Sequence, residues 1–253
     1  MECIIKQVIC DVFVSNSASG NPAAVVELDA WISDNELLNI TQTLKQPITA
    51  FVVNDLGTYY IRWFSLSGEI NLCGHGSLAA GAVMLARYSM QEINFQSQHG
   101  EVSIAKVNDG YCIVLPSWPA TFPAKYEEAT ESISVSTDLF STRDLVVVLS
   151  SIESVKNFKP DYEKVARMKD HHALMVTAQD GDSGYVLRYF APKIGIDEDI
   201  ATGSAQCSLA PYWFARLGRE RLQVNQLSQA GGYFEVEKLS ENSIKLLAKV
   251  NFQ

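Results

Sequence analysis

The residues best suited to chemistry lie in two short segments, Asn71-Leu72-Cys73-Gly74-His75-Gly76 and Asp197-Glu198-Asp199-Ile200-Ala201-Thr202-Gly203-Ser204. In each, small or glycine residues stand directly before an apolar run. No charged residue occurs between Gly76 and Ala86, nor between Gly203 and Ala215. Such runs predict helices near Ser77–Arg87 and Ser204–Leu217, apolar all round, enclosed on every side and too short to span a membrane. The start of a buried helix offers unpaired N–H groups and the positive end of the helix dipole, so it is a ready anion site. Beside the two starts are a His, an Asp, a Ser and a Cys, groups suited to proton transfer. Two such starts facing each other across a cleft would favour a small substrate bearing a carboxylate. Asp199 and Ser204 are also ordinary helix-capping types, and capping and ligand binding can coincide.

The elements that must position these residues are written twice. Ile61-Arg62-Trp63-Phe64-Ser65 resembles Leu187-Arg188-Tyr189-Phe190-Ala191, an offset of 126 from Arg62 to Arg188. Gly74-His75-Gly76-Ser77-Leu78-Ala79 resembles Gly203-Ser204-Ala205-Gln206-Cys207-Ser208, an offset of 129. A helix start at Ser33, with Glu36 completing a capping box and Ile32 and Leu37 a staple, has its counterpart at Asp161, an offset of 128. Strand candidates in the first copy are Gln7–Val14, Pro22–Leu28, Ala50–Val53, Thr58–Phe64, Val102–Lys106 and Cys112–Leu115. The second copy offers Leu145–Leu149, Ala173–Thr177, Tyr185–Phe190, Gly232–Glu237 and Ser243–Val250. Pro116, Pro119 and Pro123 punctuate the linker candidate, and the second unit follows from about Ser132. The expected architecture is α+β, with two similar halves over 1–117 and 122–253 whose strands each wrap around a central helix. The C-terminal strand is free to pair back with the first half. Pro211 predicts a kink or an early end in the second helix.

Composition removes several function classes. The 253 residues carry 20 basic against 29 acidic side chains, a net charge of −9, and Lys and Arg form no stripe. Nucleic-acid binding and docking on anionic lipid therefore lack a basis. The longest apolar stretches, such as Leu145–Leu149, are far too short for a membrane span, and the first residues do not read as a signal peptide. Cys3, Cys10, Cys73, Cys112 and Cys207 are odd in number, widely spaced and without a CxxC pair. That pattern argues against a disulfide framework or a zinc site and suits the reducing cytoplasm. His99, His171 and His172 lack ligand spacing and read as surface or loop residues, so no metal site is expected. Asp197 and Glu198 read as solvated.

Four segments together resemble the phenazine-biosynthesis PhzF-like family, which shares its fold with diaminopimelate epimerase. They are Asp11-Val12-Phe13 leading to Gly20-Asn21-Pro22-Ala23-Ala24-Val25; Thr49-Ala50-Phe51-Val52; Ile61-Arg62-Trp63-Phe64 through Leu72-Cys73-Gly74-His75; and Arg188-Tyr189-Phe190-Ala191-Pro192 through Asp199-Ile200-Ala201-Thr202-Gly203-Ser204-Ala205. They keep the family's order and span most of the chain. The resemblance implies two halves, each a mixed, mainly antiparallel β-barrel around a buried helix, with the active site in the cleft between. It implies a cofactor-independent, metal-free isomerase that moves a proton on a small carboxylate-bearing metabolite, and a homodimer. The catalytic residues it implies are His75, Asp199 and Ser204. Asn21, Ile48, Cys73, Gly74, Gly76 and Gly203 are expected to line the substrate, and Glu69 is a compatible neighbour.

One departure bears on mechanism. Where the family commonly has Ser-Glu-Thr before Ala-Phe, with the Glu as main base, this chain reads Pro47-Ile48-Thr49-Ala50-Phe51. Ile48 cannot accept a proton, so the transfer must run through His75 or Asp199. A non-catalytic binding protein that kept the cleft is the alternative. An apolar wall at Ile48 should lower the pKa of His75 and raise that of Asp199, their pairing opposing both. Ile200 stands where the family usually has Pro. Cys73 matches one of two catalytic thiols in diaminopimelate epimerase, but the partner position is Ile200 and Cys207 lies on another helix face. A buried, inert Cys73 fits better than thiol racemisation.

Overall fold

A computed structural model describes residues 6–108, 110–122 and 136–253. Cys3, Pro123 and the expected unit start near Ser132 lie outside the described residues. The described residues divide into two compact units, one reaching Val114 and including Leu247–Gln253, the other within Leu115–Leu246.

The first unit contains β1 (Lys6–Val12), β2 (Asn21–Leu28), α1 (Asp34–Leu44), β3 (Ile48–Asp55), β4 (Thr58–Ser65), β5 (Gly68–Ile70), α2 (Gly74–Tyr88), β6 (Glu92–Ser97), β7 (Gly100–Val107) and β8 (Gly110–Pro116). The second contains β9 (Ser136–Ser141), β10 (Leu145–Leu149), α3 (Ile152–Asn157), α4 (Tyr162–Arg167), β11 (Leu174–Asp180), β12 (Gly184–Phe190), α5 (Gln206–Leu217), β13 (Arg221–Gln226), β14 (Gly232–Lys238) and β15 (Ser243–Ala248). A last strand, β16 (Val250–Phe252), pairs antiparallel with β1 in the first unit. The sequence pattern runs these last strands together. They separate at Lys249, whose carbonyl accepts the Phe13 N–H at 3.0 Å.

The duplication is explicit in the pairing. In the first unit the neighbours run β1-β2-β3-β4-β6-β7-β8, in the second β9-β10-β11-β12-β13-β14-β15. The first five pairings of each series alternate identically: antiparallel, parallel, antiparallel, parallel, antiparallel. The fold is α+β and resembles the diaminopimelate epimerase class, a largely antiparallel sheet curled about a helix in each half.

Local chemistry explains the helices. Ser33 Oγ accepts from the Glu36 N–H and Glu36 Oε2 accepts from the Ser33 N–H, the capping box read from sequence. Leu37 on α1 is fully buried among Val26, Leu28, Phe51, Val53 and Phe64, worth about 1.5–3 kcal/mol relative to exposure. Asp161 caps α4 through the Lys164 N–H. In α2 every residue from Gly76 to Leu85 is buried, with β1, β2, β3, β6, β7 and β16 packed around it. Gly81 permits this closeness: a Cβ there would stand 2.4 Å from Ile104 Cγ2 on β7.

The second apolar helix departs from the expectation of full enclosure. Pro211, Tyr212, Ala215 and Arg216 keep a face of α5 partly exposed. Pro211 does not end the helix, which runs on to Leu217. Proline supplies no N–H to the carbonyl four residues back, and the freed Cys207 carbonyl accepts the Trp118 N–H instead, at 2.8 Å.

Candidate active site

In the first unit the site is built where β2 and β3 begin, β4 ends and α2 begins. Parallel pairing of β2 with β3 and antiparallel pairing of β3 with β4 bring these termini to one end of the sheet. Cys73, 8% exposed, is the N-cap of α2: its Sγ accepts the Gly76 N–H, and its carbonyl accepts the Ser77 N–H at 2.9 Å. Its role is to cap the helix start. The Gly74 and His75 N–H groups carry no acceptor among the described residues and stand at the positive end of a helix of 15 residues.

His75 lies 3.4 Å through Nδ1 from Cys73 Sγ. Its Nε2 is shielded from solvent and has no hydrogen-bond partner among the described residues. Burial pushes the imidazole down to about 4, with the nearby Pro22 carbonyl opposing the shift. His75 is thus neutral near pH 7. Ile48, 8% exposed, borders the same turn: a Cβ on Gly76 would meet Trp63 Cδ1 at 3.0 Å and Ile48 Cγ2 at 3.1 Å. Asn21 is buried at the start of β2.

The second unit holds Asp199 and Ser204 in a different setting. Asp199 Oδ2 accepts from Thr202 Oγ1 at 2.7 Å, and its N–H donates to the Tyr189 carbonyl at 3.0 Å. Gln226 ties the loop together, donating to the Asp199 carbonyl at 2.8 Å and to Thr202 Oγ1 at 3.1 Å while accepting the Thr202 N–H at 2.8 Å. Gly203, buried, and Ser204, half-buried, lie in a short 3-10 turn leading into α5. Neither that turn nor α5 has a side-chain cap, so capping does not explain Asp199 or Ser204. Gln226 and Thr202 escaped the sequence reading, since nothing in their spacing marks one strand residue as the clamp on a distant loop.

One expectation is corrected, that Glu198 is solvated. Glu69 is held by Arg62, which donates to both its oxygens, at 2.7 and 2.6 Å. Glu198 is not solvated but half-buried, bonded by Arg188 at 2.7 and 2.8 Å. The pairing is itself a repeat feature, since Arg62 stacks over Phe64 at 5.3 Å and Arg188 over Phe190 at 4.8 Å. His171 lies in a loop, as expected, and is buried there, its Nε2 2.9 Å from Ser141 Oγ.

Among the described residues, no three His, Cys, Asp or Glu side chains group as a metal would require, and no helix is long and apolar enough to cross a membrane. Two surface cavities of about 360 and 430 Å³ lie in the second unit, along α5, and neither is lined by a site residue expected from the sequence.

Comparison with known proteins defines the class first. At 10% identity, a hydroxyproline epimerase from Agrobacterium vitis, solved with trans-4-hydroxy-L-proline, matches 98% of this chain and 91% of its own with a TM-score of 0.60, a likeness of fold alone. A PhzF-family phenazine biosynthesis protein from Enterococcus faecalis is far nearer, with a TM-score of 0.85 and 31% identity over 98% of this chain and 96% of that one. The family model described as phenazine biosynthesis-like protein matches residues 10–242. The chain belongs to the phenazine biosynthesis-like (PhzF) family. An uncharacterized isomerase from Vibrio cholerae is 56% identical over 246 residues, 97% of this chain and 88% of that protein.

Proposed function

We propose that the chain is a cofactor-independent isomerase that moves a proton on a small carboxylate-bearing metabolite, with His75 as a proton-transferring group. One observation carries this reading: a neutral imidazole sits in the first turn of a buried helix, its Nε2 and two adjacent main-chain N–H groups all without partners among the described residues. The N–H groups and the helix dipole suit a carboxylate. His75 Nε2 would take a proton from the carbon beside it, the electron pair delocalising into the carboxylate, and return it at a second position. An imidazole at about 4 is a weak base, but a bound carboxylate favours its charged form and raises it toward the working pH.

Asp199 and Ser204 enter through the family resemblance, as second proton carrier and as polar ligand. The clamp of Thr202 and Gln226 on the Asp199 loop supports the first role, since a proton carrier needs a fixed position. Asn21, Cys73, Gly74, Gly76, Gly203 and Ile48 are proposed as substrate-lining. Cys10, Cys73, Cys112 and Cys207 are all buried, and their spacing suits a reducing cytoplasm. Homodimerisation rests on the resemblance.

A second reading, a binding protein without turnover, is favoured by one feature: Ile48 packs an aliphatic side chain against the turn that carries His75, where the family's base is expected. Thermal-shift screening over small amino and hydroxy acids finds ligands under either reading. Solvent-deuterium incorporation into a bound acid supports the isomerase. Tight ligands that never exchange would overturn it.

A further inference from the structure

Trp63 lies on β4 and is 1% exposed, yet its indole Nε1–H is buried without a hydrogen-bond partner among the described residues. Buried polar groups are nearly always bonded, and an unmet donor is costly. The described residues of the second unit obey that rule. The indole of Trp213, equally buried, donates to Thr177 Oγ1 at 3.0 Å, and the buried Thr177, Gln206, Ser208 and Gln226 of the second unit are all bonded. Thr49 Oγ1 also has no partner among the described residues. It shares the parity of Phe51, which packs on α1, and so faces away from α2.

Trp63 presents its Cδ1 edge, bonded to Nε1, to Gly76 in the first turn of α2. Three donors without acceptors among the described residues thus lie near one helix start: the N–H groups of Gly74 and His75 and the indole N–H. We propose that Trp63 is a ligand-contacting residue whose indole N–H donates to the carboxylate held at the start of α2. This rests on the carboxylate reading above and adds a requirement to it. The bound group must offer acceptor oxygens to both main-chain and indole donors, which selects a carboxylate over a neutral amide or alcohol. Gly76 is part of the device, since a side chain there would press on the indole edge at 3.0 Å.

Proton–nitrogen correlation spectra of ¹⁵N-labelled protein test this directly, because the four tryptophans each give one indole signal. Titration with sodium lactate and sodium acetate, against sodium chloride as control, should shift the Trp63 indole signal saturably together with the Gly74 and His75 amides. The Trp213 indole should stay in place. W63F should weaken lactate binding about tenfold, the effect of one hydrogen bond to a charged group. Movement of the Gly74 and His75 amides without the Trp63 indole would overturn the proposal and leave the carboxylate reading standing. A spectrum in which neither moves with any probe would overturn both. The wild-type titration decides between these outcomes without relying on the folding of W63F.

Discussion

Holding His75 neutral should make the protein lose stability in mild acid by an amount that follows from its pKa. The ordinary value for histidine is 6.5, and burial lowers that of His75 to about 4. The unfolded chain therefore binds a proton here before the folded one does. Stability from this group is complete above pH 6.5, declines as the pH falls, and levels off below pH 4. At about 1.4 kcal/mol for each pH unit between the two values, the loss is about 1.4 kcal/mol at pH 5.5 and on the order of 3 kcal/mol at pH 4. Urea unfolding of wild type and His75→Asn at pH 7, 5.5 and 4 isolates it. The stability difference between the two proteins should shift against wild type by those amounts as the pH falls. Saturating lactate, by raising the pKa of His75, should shrink the shift. Parallel pH curves for the two proteins would refute the reasoning.

Three further outcomes follow from packing and charge. Gly81→Ala drives a Cβ into Ile104 and should cost about 1–3 kcal/mol in urea unfolding, with Ile104→Ala in the same chain recovering part of it. Arg188→Met removes the paired bonds to Glu198 and the bonds to the Val155, Lys156 and Phe158 carbonyls at the end of α3; it should cost about 2–3 kcal/mol, and a loss below 0.5 kcal/mol, roughly that of an exposed pair, would count against a structural role. Ile48→Glu restores an acid–base group beside Gly76 and should raise deuterium incorporation into a bound acid by about 10²–10⁴; unchanged exchange would show that this side chain does not limit proton transfer.

Much of this molecule was legible in its sequence because the duplication repeats residues whose types leave few structural options. The Ser33–Glu36 box, the charge-free α2 and the Arg62 and Arg188 strands each follow from a local rule. What escaped was decided elsewhere in the chain. β6 and β13 alternate only two apolar residues each, Ile93 with Phe95 and Leu222 with Val224, too weak a pattern against their polar neighbours. The fates of Glu69 and Glu198 depend on arginines seven and ten residues away, and a charge count cannot tell a paired carboxylate from a solvated one. The exposed face of α5 was hidden because a charge-free run reads as buried whether or not a partner covers every side. His75 was found from the glycines around it. Trp63 was not, because an aromatic in a strand reads as core until its N–H is seen without a partner.

Deuterium incorporation into a bound hydroxy or amino acid, compared between wild type and His75→Asn, bears most directly on the central claim. The wild type should place solvent deuterium on the carbon beside the carboxylate, and His75→Asn should abolish it while still binding the acid. Exchange that survives the substitution, or binding by wild type with no exchange for any ligand, would contradict the account.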